Sequence, residues 1–341
     1  MTKNYWTFFT VKELNSVTNA FRFSEFLALF LINITPNYLP MSPIKPHIWF
    51  DQDKAKEAAE FYTSVMPDSA LNYVNHFAMP GGGECEVVEF IVAGQPFLGI
   101  SAGNALKISP AISFMINFDS SQNPEAPERI DEVWNKLLPG GEVMMPLDRY
   151  PFSERYGWIS DKYGVSWQLI LANSTSEERP VIVPSLLYTG DVAGKANEAI
   201  DFYCSIFRDG KRGATAPRPE DVGPDNAGTL LYADFYVNHT WLAAMDSAHP
   251  HGFAFNDAVS LLIACETQEE IDYYWSALST DGEPRQCGWL KDKYGASWQV
   301  TSTVMFDALK NGNPEQVARV TQTFMTMKKV DVAALQQAYN R

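Results

Sequence analysis

The chain has 341 residues, enough for two domains that each bury a core, and its 46% hydrophobic and 13% aromatic content is that of a folded protein. A formal net charge of −15 without any basic block excludes nucleic acid and anionic membrane surfaces as partners, because nothing is present to neutralise phosphates. Cys85, Cys204, Cys265 and Cys287 form no C-x-x-C pair and no framework spacing, so reduced thiols and a cytoplasmic location are expected.

Residues 1–43 are expected to be a poorly ordered N-terminal extension. The apolar run from Phe21 to Ile34 is interrupted by Arg22 and Glu25 and is too short to span a bilayer. It starts far from Met1 and lacks a small-residue cleavage site, which argues against a signal peptide. Met41 before Ser42-Pro43 would make a natural start for the globular part. Asn33, Asn173 and Asn238 head N-x-S/T triplets, which carry meaning only in a secreted chain.

From Ile44 the pattern becomes regular. Ile44, Ile48 and Phe50 alternate in a short strand that turns His47 and Trp49 to its other face. Ala55, Ala58, Ala59, Tyr62 and Val65 form the stripe of a helix that Pro67 stops. Strands follow around Leu71–Phe77, Cys85–Ala93 and Phe97–Ser101, with Gly81-Gly82-Gly83 in a hairpin loop between the first two. The same order returns: a strand at Ala111–Phe118, a helix with Ile130, Val133, Trp134, Leu137 and Leu138, a strand near Val143, and a closing hairpin. That hairpin, Gly157-Trp158 to Trp167-Gln168, recurs as Gly288-Trp289 to Trp298-Gln299, 131 positions apart (289 − 158). Gly164 and Gly295 sit where its turn needs a positive φ, and Gln168 and Gln299 lie on the strand face opposite Val165, Trp167 and Leu169 and their counterparts.

The whole arrangement therefore occurs twice, at 44–172 and 182–302, around a polar linker at 173–181. Pro184-Ser185-Leu186-Leu187-Tyr188 answers Pro46-His47-Ile48-Trp49-Phe50, and Asp234-Phe235 answers Glu89-Phe90. Thr267 with Glu270 reads as a capping box. The tail 303–341 reads as helical, with Asn313-Pro314 and Asp331 as caps and an apolar stripe of Val317, Val320, Phe324 and Met327 that needs a partner surface.

The two copies resemble the PhnB-like branch of the vicinal oxygen chelate superfamily, which includes glyoxalases, bleomycin-resistance proteins and extradiol dioxygenases. Trp49-Phe50-Asp51, Phe61-Tyr62, the run from Phe90 to Phe97, Ile112-Ser113-Phe114, the paired hairpins, Cys265 to Asp272 and Met327 to Asp331 carry the resemblance. It implies an α+β fold of two tandem glyoxalase-like domains, each of paired βαβββ modules forming a curved sheet around a cavity in each copy, with a helical C-terminal tail. Members of the branch often carry the label 3-demethylubiquinone methyltransferase, for which the sequence shows no strand–glycine loop–helix unit.

Metal-dependent members of the superfamily take His or Glu from the first, fifth and last strands of a domain. The first copy offers His47, Ala111 or Ser113, and Gln168; the second offers Ser185, Ala258 or Ser260, and Gln299. One imidazole beside a neutral amide is a poor site for Zn²⁺ or Fe²⁺, so no metal ligand and no cofactor is assigned. The candidate ligand-binding residues are His47, Trp49, Gln168, Arg149, Tyr150 and Gln299; catalytic residues are not assigned. Arg149 and Tyr150 belong to about ten extra residues of copy one, between Gly141 and Trp158, which by position form a loop over the cavity mouth; Arg149 or Arg155 there would meet an anionic substrate. Cys287 stands where copy one has Tyr156 and reads as an inert thiol. The expected function is metal-free binding of a small organic molecule in the first copy's cavity. One alternative is a metal-dependent lyase, isomerase or dioxygenase using His47; another is a non-enzymatic scaffold or sequestering protein. The expected partner is a small-molecule ligand, with no nucleic acid and no membrane, and the chain is expected as a monomer with an internal pseudo-dimer or as a homodimer.

Overall fold

The computed structural model describes residues 43–341 apart from 52, 80, 81, 104, 105 and 173–177. The expectations for the N-terminal extension 1–42, and for most of the 173–181 linker, lie outside the described residues. Residues 42–341 form one compact unit. No helix among the described residues is long and apolar enough to cross a membrane.

Four βαβββ modules follow one another. The first runs β1 (Lys45–Phe50), α1 (Ala55–Val65), β2 (Ala70–Ala78), β3 (Glu84–Val92) and β4 (Gln95–Ser101). The second comprises β5 (Ile112–Asp119), α2 (Ala126–Leu137), β6 (Glu142–Tyr150), β7 (Ser153–Ser160) and β8 (Ser166–Ala172). The third comprises β9 (Ile182–Tyr188), α3 (Ala196–Ile206), β10 (Lys211–Pro217), β11 (Leu230–Val237) and β12 (Thr240–Asp246). The fourth comprises β13 (Val259–Cys265), α4 (Gln268–Ser279), β14 (Glu283–Pro284), β15 (Trp289–Lys291) and β16 (Ser297–Ser302). The tail folds into α5 (Thr303–Asn311), α6 (Pro314–Met325) and α7 (Val332–Asn340). Local chemistry explains the boundaries. The five apolar residues expected on α1 are the five it buries, Thr267 and Glu270 form a capping box on α4, and Asn313 and Asp331 cap α6 and α7.

The modules pair into two eight-stranded sheets, in the orders β14-β15-β16-β13-β1-β4-β3-β2 and β10-β11-β12-β9-β5-β8-β7-β6. One sheet thus joins the first module to the fourth, the other the second to the third. This corrects the expectation of a sheet and cavity within each copy. The first strands of modules meet antiparallel, β1 with β13 (His47 opposite Ser260) and β5 with β9 (Ser113 opposite Ser185). Each copy does build a helix-side core mainly from its own residues, with Ile182 and Val259 of copy two joining that of copy one. In copy one, Ile48, Phe50, Tyr62 and Phe90 share a cluster with Phe114, Ile130, Trp134 and Trp167, and the Tyr62 and Trp167 rings lie 5.2 Å apart. In copy two, Tyr203 meets Trp298 at 5.4 Å in the same way. The helices and cores hold a copy together, and the sheets hold the copies to each other.

Candidate functional site

The repeated hairpin is organised by an aspartate. Asp161 Oδ2 accepts from the Tyr62 hydroxyl at 2.7 Å and from Trp167 Nε1 at 2.8 Å, while Oδ1 accepts from the backbone N–H of Tyr163 and Val165. Asp292 repeats the set with Tyr203 at 2.6 Å, Trp298 Nε1 at 2.9 Å, and the N–H groups of Tyr294 and Ala296. Burial raises both carboxyl pKa values, against the lowering effect of those donors. Gly164 and Gly295 close the turns at φ +86° and +84°. The hairpin motif therefore fastens the closing strands of modules two and four onto helices α1 and α3.

The faces away from the helices carry the predicted polar residues, one set per sheet. On the sheet of modules one and four, Gln299 Nε2 donates to Ser260 Oγ at 2.9 Å and to His47 Nδ1. The Trp289 ring lies 5.7 Å from the imidazole. His47 is 5% exposed, and burial pushes its pKa down to about 4, with the Gln299 hydrogen bond opposing that shift. On the sheet of modules two and three, Gln168 Nε2 donates to Ser113 Oγ at 2.8 Å, and the Tyr156 hydroxyl donates to Gln168 Oε1 at 2.7 Å. Both glutamines are buried. His47 and Gln168, expected together, lie on different sheets; the partner of His47 is Gln299, because module pairing crosses the copies.

The remaining candidates fall elsewhere. Trp49 donates from Nε1 to the Gly103 carbonyl at 3.0 Å and lines a cleft of about 640 Å³. Tyr150 packs 5.6 Å from Tyr156, and Phe152 sits 5.0 Å from the same ring, so the β6–β7 hairpin lays an aromatic cluster beside Gln168. The expected loop over the cavity mouth is this hairpin, whose extra residues are absorbed as bulges in the β6–β7 register. Its arginines are already paired, Arg149 with Glu154 at 2.9 Å and Arg155 with Asp131 at 2.6 Å.

Several site residues were not singled out from the sequence as site residues. Glu89 faces the same side as His47 and pairs with Lys45. Its repeat counterpart Asp234 pairs with Arg179, whose guanidinium lies 3.6 Å from the Trp241 ring centre. The match of Glu89-Phe90 to Asp234-Phe235 was the available signal, together with the repeated Asp of each hairpin. Cys287 is buried enough to raise its thiol pKa and lies at φ +61°.

The donor set does not fit a catalytic divalent metal. No group of three or more His, Cys, Asp or Glu converges among the described residues, and His47 faces an amide and a hydroxyl in place of carboxylates.

Comparison with known proteins follows the duplication. A family model described as 3-demethylubiquinone-9 3-methyltransferase matches residues 42–170 and again 180–301. The PhnB protein from Bacillus cereus, described with the same activity, is 35% identical over 38% of this chain and 98% of its own, with a TM-score of 0.33. Glyoxalase I from Zea mays is 13% identical over 79% of this chain and 98% of its own, with a TM-score of 0.50, a likeness of fold alone. No curated protein matches the chain. With a family model matched twice along its length, the chain belongs to the 3-demethylubiquinone-9 3-methyltransferase family, PhnB-like members of the vicinal oxygen chelate superfamily, and carries two copies of its domain.

Proposed function

We propose that this protein binds a small organic molecule without a metal ion, in the cleft of about 640 Å³ that Trp49 lines. The cleft lies where the end of β1, the β4–β5 and β12–β13 connections and the turn after β7 converge, so both copies wall it. Trp49, Tyr163 and Phe253 give it aromatic walls; Asp51, Glu142, Lys107 and Lys162 give it a few charged groups, with Lys162 Nζ 4.8 Å from the Tyr163 ring centre. A concave cleft in which aromatic rings stand beside a few directional polar and charged groups is a build that small-molecule sites share. The observation that carries the reading is the contrast between this open cleft and the two sheet centres, where His47, Gln168 and Gln299 are at most 5% exposed and bonded to neighbours. The methyltransferase in the family's description is not part of the proposal, since Gly82 and Gly83 lie in the β2–β3 hairpin and not between a strand and a helix.

Native mass spectrometry of freshly purified full-length protein tests this. An organic mass is expected to co-purify with the wild type and with His47→Gln, and to be lost from Trp49→Ala. Retention in Trp49→Ala overturns the site, and a stoichiometric metal released by His47→Gln overturns the metal-free reading. The sealed sheet centres also favour a second reading, a scaffold that binds nothing, which the absence of any bound mass from the wild type would support.

A further inference from the structure

The residues that answer the Trp49 cleft in copy two are joined to one another. The strand pairs Glu142–Ser160 of β6–β7 and Glu283–Lys291 of β14–β15 hold the same place in their modules. Two residues beyond that glutamate, copy one has Met144 where copy two has Arg285. Two residues before the first residue of β5 and of β13 stand Pro110 and Asp257. In copy two Arg285 pairs with Asp257 and donates from its other terminal nitrogen to Glu283 at 2.9 Å. Lys291 Nζ lies 3.8 Å from Asp257, and the Ser297 hydroxyl donates to the same carboxylate at 2.6 Å. In copy one Pro110, Glu142, Met144 and Ser160 line the open cleft, with neither Arg285 nor Lys291 matched by a cation. Among the described residues no ion pair holds Glu142 or Asp51, the two carboxylates of the cleft.

Most other polar groups of the cleft are already engaged. Trp49 Nε1 is bonded to the Gly103 carbonyl, and the Tyr163 hydroxyl donates to Glu57 at 3.0 Å, so these walls offer a ligand ring surface. Asn256 Nδ2 donates to the Lys107 carbonyl, Ser109 Oγ to the Ala254 carbonyl, and His251 Nε2 shares a hydrogen with Ser247 Oγ. Of the two lysines, Lys162 is turned to α1, its Nζ 4.6 Å from the Phe61 ring centre, and Lys107 is exposed. Ring surface beside a carboxylate that lacks a cation suits a planar, weakly hydrated organic cation, which gains from both. The chain's net charge of −15 favours a ligand of the same sign. Building on the reading that this cleft binds a small organic molecule, we propose that its ligand is an organic cation, an amidinium or guanidinium group on an apolar body. Its charged end takes at Glu142 the place that Arg285 fills at Glu283.

Isothermal titration calorimetry on the full chain tests this with benzamidine, its neutral isostere benzamide and the anion benzoate. Benzamidine is expected to bind at least tenfold more tightly than either. Glu142→Gln should lower its affinity to that of benzamide. Met144→Arg, which gives copy one the arginine of copy two, should abolish binding by pairing with Glu142 inside the chain. Glu283→Gln should leave binding unchanged. Glu142 is exposed and Met144 half-buried, and urea unfolding checks that each variant keeps its fold. No binding of benzamidine, equal binding of benzamidine and benzamide, or a benzamidine affinity unmoved by Glu142→Gln each overturns the cationic ligand. That failure is distinct from failure of the cleft. A neutral or anionic mass that co-purifies with the wild type and is lost from Trp49→Ala keeps the cleft and overturns the cation. A benzamidine affinity that Trp49→Ala leaves unchanged overturns the cleft as its site.

Discussion

At the scale of single residues, two aspartates and a histidine dominate. Asp161 and Asp292 each accept four hydrogen bonds, and removing either carboxylate strands a tyrosine hydroxyl, an indole N–H and two backbone N–H groups in the core. Asp161→Ala and Asp292→Ala should each cost about 3 kcal/mol or more in urea unfolding, and by similar amounts because their surroundings repeat. His47 supplies a pH dependence. Its folded pKa of about 4 lies below the ordinary 6.5, so the unfolded chain binds the extra proton between those values. The stability it contributes is present above pH 6.5 and is lost as pH falls toward 4, by about 3 kcal/mol over the window. In His47→Gln that loss should vanish, so denaturant titrations at pH 7 and pH 4.5 should bring wild type and variant closer at the acid end. A constant gap between them would show that His47 is charged in the fold.

Elements were read well from local chemistry. The α1 stripe, the hairpin turns and the three tail and α4 caps follow from residue type and spacing alone, as the buried sets and cap bonds show. Gly164→Ala and Gly295→Ala isolate one of these signals. An added Cβ at Gly295 meets nothing within 4 Å and at Gly164 only the Ile108 side chain at 3.6 Å, so the cost is the strained φ itself. About 1 kcal/mol is expected for each, from thermal or denaturant unfolding. Asp331→Ala removes the side-chain bond to the Ala334 N–H at 2.9 Å and should cost about 1 kcal/mol, with faster hydrogen exchange confined to α7. Elements were misread where length was taken for a loop. The residues between Gly141 and Trp158 form strands, because a bulged register absorbs insertions without breaking the hairpin.

For the molecule as a whole, each copy owns a core but shares both of its sheets. Neither copy can open without stripping the β1–β13 and β5–β9 junctions, so urea unfolding should show one transition common to Trp fluorescence and far-ultraviolet dichroism. Two separated transitions would mean that the copies fold independently. The sequence by itself determined the duplication, the βαβββ order, the caps, and which side of β1, β8 and β16 carries His47, Gln168 and Gln299, because alternation and helical period are properties of neighbouring residues. Only the tertiary structure decided that His47 meets Gln299, that Gln168 meets Tyr156 and Ser113, and that α5 packs beside β2, where Asn75 Nδ2 donates to the Leu309 carbonyl. The physical reason is that β5 and β13 present the same kind of strand edge and the same serine to a partner, Ser113 and Ser260. Nothing local to β1 distinguishes them; the choice is made by the packing of whole modules around the two helix-side cores.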